Sequence, residues 1–113
     1  MLRSAQEDAE MIFVEGWVRM APGEVERFRP AAIAMMQASR QEPGCLEYTF
    51  SQDYVDADVV RVIERWADEA ALAAHFQTPH MAAFNKALAE AKRVDGSVKV
   101  YSGAFVRTLI GAD

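Results

Sequence analysis

The sequence predicts an α+β fold built to pair with a second copy of itself. Four segments are rich in β-branched and aromatic residues, and two longer stretches repeat apolar residues at helical spacing. The β segments are also apolar on both faces, which is more than two helices can cover.

The first strand is expected over residues 12–20 (IFVEGWVRM), stopped by Ala21-Pro22-Gly23. A helix should follow over 24–41, with Val25, Phe28, Ala32, Met35, Met36 and Ser39 on one face. Pro30 lies near its start, where it delays the helix or kinks the first turn. Glu42-Pro43-Gly44 ends that helix, and residues 45–52 read as the second strand. Residues 53–58 carry three aspartates and read as a solvated hairpin connection into the third strand, 59–66 (VVRVIERW). Asp68 can then cap a helix that comes in two pieces. Ala71, Leu72, His75 and Phe76 share the first face, and Thr78-Pro79 restarts the helix with Met81, Phe84, Leu88 and Ala91 continuing the stripe. Val94-Asp95-Gly96 reads as a turn, and 98–108 as the last strand. The order is β-α-β-β-α-β, the split βαβ pattern of a ferredoxin-like fold, with a four-stranded antiparallel sheet and its helices on one face.

Length allows one domain, taken as residues 11–113 behind a polar, acidic and flexible extension over 1–10 that has no apolar core of a signal peptide. A net charge of −5 argues against nucleic acid and against an anionic membrane surface, because both demand a basic face. No apolar run approaches the roughly 20 residues of a membrane span. Cys45 is the only cysteine, so an intrachain disulfide is impossible and a reducing cytoplasm is the natural compartment.

In the first strand Ile12, Val14 and Val18 oppose Phe13 and Trp17; in the third Val60, Val62 and Trp66 oppose Val59 and Ile63. In the last, Val98, Val100, Ala104 and Val106 oppose Tyr101 and Phe105. The face without helices would expose an associating patch, so a homodimer through the sheet faces is expected.

Glu42-Pro43-Gly44-Cys45-Leu46-Glu47-Tyr48, Glu64-Arg65-Trp66, residues 71–76 (ALAAHF), Thr78-Pro79-His80 and Phe84 follow one another in an order and spacing that resemble the antibiotic biosynthesis monooxygenase (ABM) domain family, which includes quinol monooxygenases of the YgiN kind. The resemblance runs over about residues 12–106. It implies a dimeric α+β barrel, a pocket between sheet and helices, and oxidation of a small quinol-like or polyketide aromatic by molecular oxygen without metal or flavin. It also implies that the chain's histidines stand around the pocket.

His75 and His80 are the only histidines, and imidazole is the side chain that exchanges protons near neutral pH unaided. Either suits a general base that removes a phenolic proton. Otherwise His75 is a satisfied polar residue on an apolar face and His80 a solvated first-turn residue. Glu64 and Trp66 share a face on the two-residue period. Trp66 could form a flat wall for an aromatic, and Glu64 a base or a partner for a histidine; the plainer readings are core packing and an ion pair with Arg61 or Arg65. Tyr48, Phe28, Met36, Phe76 and Phe84 are the candidate substrate-binding residues, with Met35 and Met81 in the same apolar stripes and Tyr54 a loop phenol outside the matched motif. Cys45 reads as a small buried hydrophobe.

No metal site is expected. The five-residue spacing of the histidines straddles a proline, and a third ligand would have to be a carboxylate such as Glu64 or Glu47. No bound cofactor is expected either, since neither glycine-rich phosphate motif is present. Haem degradation is an alternative on the same fold, but the asparagine that haem-degrading relatives carry in the first strand is missing; the chain's single asparagine is Asn85. A non-oxidative ligand-binding protein or isomerase is the third reading.

Overall fold

A computed structural model describes residues 10–111. The N-terminal extension expected over 1–10 therefore lies almost wholly outside the described residues. The elements run β1 (Met11–Met20), α1 (Glu24–Ser39), β2 (Cys45–Gln52), β3 (Val59–Trp66), α2 (Glu69–His75), α3 (Pro79–Glu90) and β4 (Arg93–Gly103). The strands form one antiparallel sheet in the order β2-β3-β1-β4, as the split βαβ pattern requires.

Local chemistry sets most of the boundaries. Asp68 accepts a hydrogen bond from the Ala71 backbone N–H at 2.8 Å and starts α2. The Thr78 hydroxyl accepts from the Met81 N–H and donates to the His75 carbonyl, so one side chain ends α2 and starts α3, with Pro79 at the first helical position. α1 passes through Pro30 without a break and stops at Ser39. The aspartates between β2 and β3 act as local acceptors as well as solvated charges. Asp53 accepts from the backbone of Val55 and Asp56, and Asp56 pairs with Arg19.

The last strand departs from the sequence reading at both ends. Residues 94–96, expected as a turn, lie inside β4, where Asp95 pairs with Arg19 and Gly96 with Val18. A side chain at 96 would put its Cβ 3.1 Å from the Trp17 carbonyl, so glycine serves here to let two backbones approach, not to turn the chain. Gly16 does the same from the other strand, since a Cβ there would fall 1.9 Å from the Ser97 carbonyl. At its far end β4 stops at Gly103, which pairs with Met11, the first residue of β1. Beyond that point no partner strand remains among the described residues. Residues 104–108, expected as strand, therefore lie outside the sheet, and Phe105 and Val106 are exposed.

The helices cover one face of the sheet. Ile12, Val14, Met35, Tyr48, Trp66 and Leu72 form the buried core there. α1 meets α3 through Phe28 and Phe84, whose ring centroids are 5.4 Å apart. The opposite face is less uniformly apolar than the strand pattern alone implies. Phe13, Trp17, Ile63 and Tyr101 stand among Glu15, Arg61, Arg65 and Lys99, while Val59 is buried. No helix among the described residues is long and apolar enough to cross a membrane.

Candidate active site

Strand register brings the candidate residues together. Tyr48 pairs with Glu64, Glu64 with Val14 and Val14 with Val100, so these four form one row across the helix-covered face. Above that row, between the sheet and α1, α2 and α3, lies a cavity of about 400 Å³. Tyr48, Phe28, Met36, Phe76 and Phe84, the five expected substrate-binding residues, all line it. Glu64 and His75 line it too, which makes a mostly apolar chamber with acid-base groups at one end. Arg29 and Arg93 are its basic lining residues.

His75 is the last residue of α2 and is only 1% exposed. Its ring lies 4.7 Å from Trp66 and 5.3 Å from Tyr48, centroid to centroid, so its plane is fixed by aromatic packing. Its Nδ1 is 2.6 Å from Oε2 of Glu42. Nε2 of His80 is also 2.6 Å from that same oxygen. A carboxylate oxygen only accepts, so both ring nitrogens carry the protons that they donate to it. In the neutral imidazole form of His75 this leaves Nε2 as the lone pair, on a residue of the cavity wall.

Glu42 stood out in the sequence as the residue that ends α1 and opens the first family-like motif, and its part in the site was missed. The signal lay in topology. An antiparallel hairpin returns the end of β3 beside the start of β2, as the pairing of Cys45 with Trp66 shows, and α2 follows at once. A carboxylate just ahead of β2 must then lie near the end of α2. Gly44 makes this possible: its φ of +83° is left-handed, and a Cβ there would sit 2.6 Å from the Ala71 Cβ. The carboxylate beside the histidines is thus Glu42, and neither Glu64 nor Glu47, the two considered from sequence. Glu47 instead pairs with Arg65 and accepts from Thr49.

Trp66 is fully buried and does not line the cavity, so it cannot serve as the substrate wall considered from sequence. Its indole N–H donates to Oε1 of Glu64 at 2.9 Å, which fixes that carboxyl on the cavity side. The ion pair considered for Glu64 does not form; Arg61 pairs with Asp53 and Arg65 with Glu47. Burial pushes the Glu64 carboxyl up to about 7; the Trp66 hydrogen bond works against this shift, and the Glu42 charge adds to it. Burial, with the charge of Glu64, raises Tyr48 well above the ordinary phenol range, so it remains a neutral donor. Burial also raises the Cys45 thiol, helped by Glu42 and Glu64, which leaves it unreactive. Tyr54 is exposed in the hairpin, away from the cavity. His80 does not line the cavity and reaches the site only through Glu42.

The model of the antibiotic biosynthesis monooxygenase family matches residues 11–87, which span β1 to α3 and every acid-base residue described above. The chain belongs to the ABM family. Among similar proteins, the uncharacterised sll1783 of Synechocystis is 32% identical over 98 residues, covering 87% of this chain and 67% of its own length. A Bacillus subtilis protein named "Putative monooxygenase YcnE" is 30% identical over 74 residues, covering 66% and 78% respectively. A solved structure from Deinococcus radiodurans, described as a "putative antibiotic biosynthesis monooxygenase", superposes with a TM-score of 0.79 over 88% of this chain and 99% of its own. At 23% identity that structure speaks for the ABM fold alone.

Proposed function

We propose that this ABM protein is a cofactor-independent monooxygenase of a small reduced aromatic, a quinol or a related polycycle. The observation that carries this reading is the Glu42–His75 pair at the wall of a mostly apolar cavity. Glu42 holds the Nδ1 proton and fixes the ring, so Nε2 is free to take a phenolic proton. Tyr48 and the protonated form of Glu64 can donate to a second oxygen of the substrate. Loss of the proton leaves an electron-rich anion, which passes one electron to molecular oxygen. The radical pair then joins at a reduced ring carbon, and loss of water from the hydroperoxide leaves one oxygen atom in the product. The apolar lining keeps bulk water from the intermediates.

The reading is tested by oxygen uptake with a panel of naphthoquinols and anthrones. Saturable uptake is expected, with a loss of about 100-fold or more in His75→Ala, the usual worth of a positioned base. If no panel member drives uptake, the protein is a ligand-binding member of its family instead; if uptake is present and the variant matches the parent chain, His75 is not the base.

A homodimer through the face without helices belongs to the same proposal. Phe13, Trp17, Ile63 and Tyr101 supply its apolar centre, and Ile63 and Tyr101 are each more than two-fifths exposed in the single chain. A cytoplasmic location accords with the lone, free thiol.

A further inference from the structure

We infer that Glu42, His75 and His80 form a binding site for one divalent transition-metal ion of the zinc type, and that loading it silences the base in the cavity. The donor atoms are Oε2, Nδ1 and Nε2, and all three lie within 4.8 Å of one another. They come from three separate segments: the loop before β2, the end of α2 and the first turn of α3. The bond pattern of Thr78 locks the second and third together, and the left-handed Gly44 sets the first against α2. The three donors are therefore gathered before any ion arrives, and only their spacing has to adjust.

Two imidazoles and a carboxylate suit zinc, cobalt or ferrous iron; calcium and magnesium prefer all-oxygen shells. An ion about 2.0–2.1 Å from each donor requires donors about 3 Å apart on one coordination face. The two 2.6 Å contacts must then open, and the two histidine nitrogens, within 4.8 Å of each other, must close towards the same spacing. His80 can supply that movement, because its side chain is 25% exposed whereas that of His75 is 1% exposed.

Without metal, both nitrogens facing Glu42 carry protons. With metal, both must offer lone pairs, so the proton of His75 moves to Nε2 and that of His80 to Nδ1. Starting from two neutral rings, no proton is gained or lost overall. The Nε2 of His75 changes from acceptor to donor and can no longer take a proton from a substrate. This second half of the inference rests on the base role proposed above for His75; the binding site itself does not.

The test uses the untagged full chain, stripped with chelator and titrated with Zn²⁺ and Co²⁺ by calorimetry and visible absorption. One equivalent should bind saturably, and Co²⁺ should develop the visible bands of a low-coordinate nitrogen-oxygen site. Glu42→Gln and His80→Ala, each checked for a native circular-dichroism spectrum, should weaken binding at least tenfold. With an active substrate, Zn²⁺ should suppress oxygen uptake at the concentration where it binds, and chelator should restore it. No saturable binding up to about 1 mM, or binding indifferent to both substitutions, overturns the site. Binding without loss of uptake overturns the silencing. Saturable binding in a chain that oxidises no substrate upholds the site and sinks the oxygenase reading alone.

Discussion

Glu64 couples the chemistry of the cavity to the stability of the fold. An unfolded chain releases this proton near 4.5, whereas the folded protein holds it until about 7. Between those values the folded state binds more protons, so this residue's contribution to stability falls as pH rises through the window. The loss approaches about 3 kcal/mol at most once the group is ionised in the folded state. Glu64→Gln keeps an acceptor for the Trp66 indole and carries no charge. Urea unfolding should show the variant level with the parent near pH 4 and more stable by about 1–3 kcal/mol at pH 8. Parallel curves for the two proteins would show that Glu64 ionises normally. At this scale the sequence was partly legible. Period-two spacing put Glu64 and Trp66 on one face, and the histidines stood out by type. The hydrogen bond that turned Trp66 from wall to anchor was not legible, because burial along an indole depends on what packs above the strand.

The helices and hairpins were the most legible elements, because each carries its own local signal. Asp68, Thr78 and Pro79 start helices wherever they stand. β4 was harder, since a Val-Asp-Gly triplet reads as a turn to any local rule and became strand only because β1 needed a partner. Gly44 is the element-scale joint on which the site depends. Gly44→Ala forces a left-handed alanine and drives its Cβ against Ala71, so stability should drop by about 1–3 kcal/mol in urea melts. Because Glu42 is displaced with it, oxygen uptake should fall in samples that remain folded, and unchanged activity would show that Glu42 is not set by this turn.

At the scale of the whole molecule, the order β2-β3-β1-β4 leaves one side of the sheet without helices. The proposed homodimer predicts twice the chain mass by light scattering. Trp17→Glu places a charge at the centre of that face and should shift the population to single chains; a parent chain already at single mass would remove the proposal. The sequence made the need for cover legible through its two-faced strands. It overstated how apolar the outer face is, because charged residues share the rows of Phe13, Trp17 and Ile63.

The central position of β1 also governs timing. Its first partner, β3, lies well downstream, and its second, β4, is the last of the described elements; Val14 waits for Val100. On a ribosome the first strand is made before either neighbour exists. Phe13 and Trp17 are then unguarded, and the sheet closes only after β4 has been made. Such distant pairing carries a larger loop-closure cost than local pairing, with β1–β4 closure the step that a growing chain must wait for.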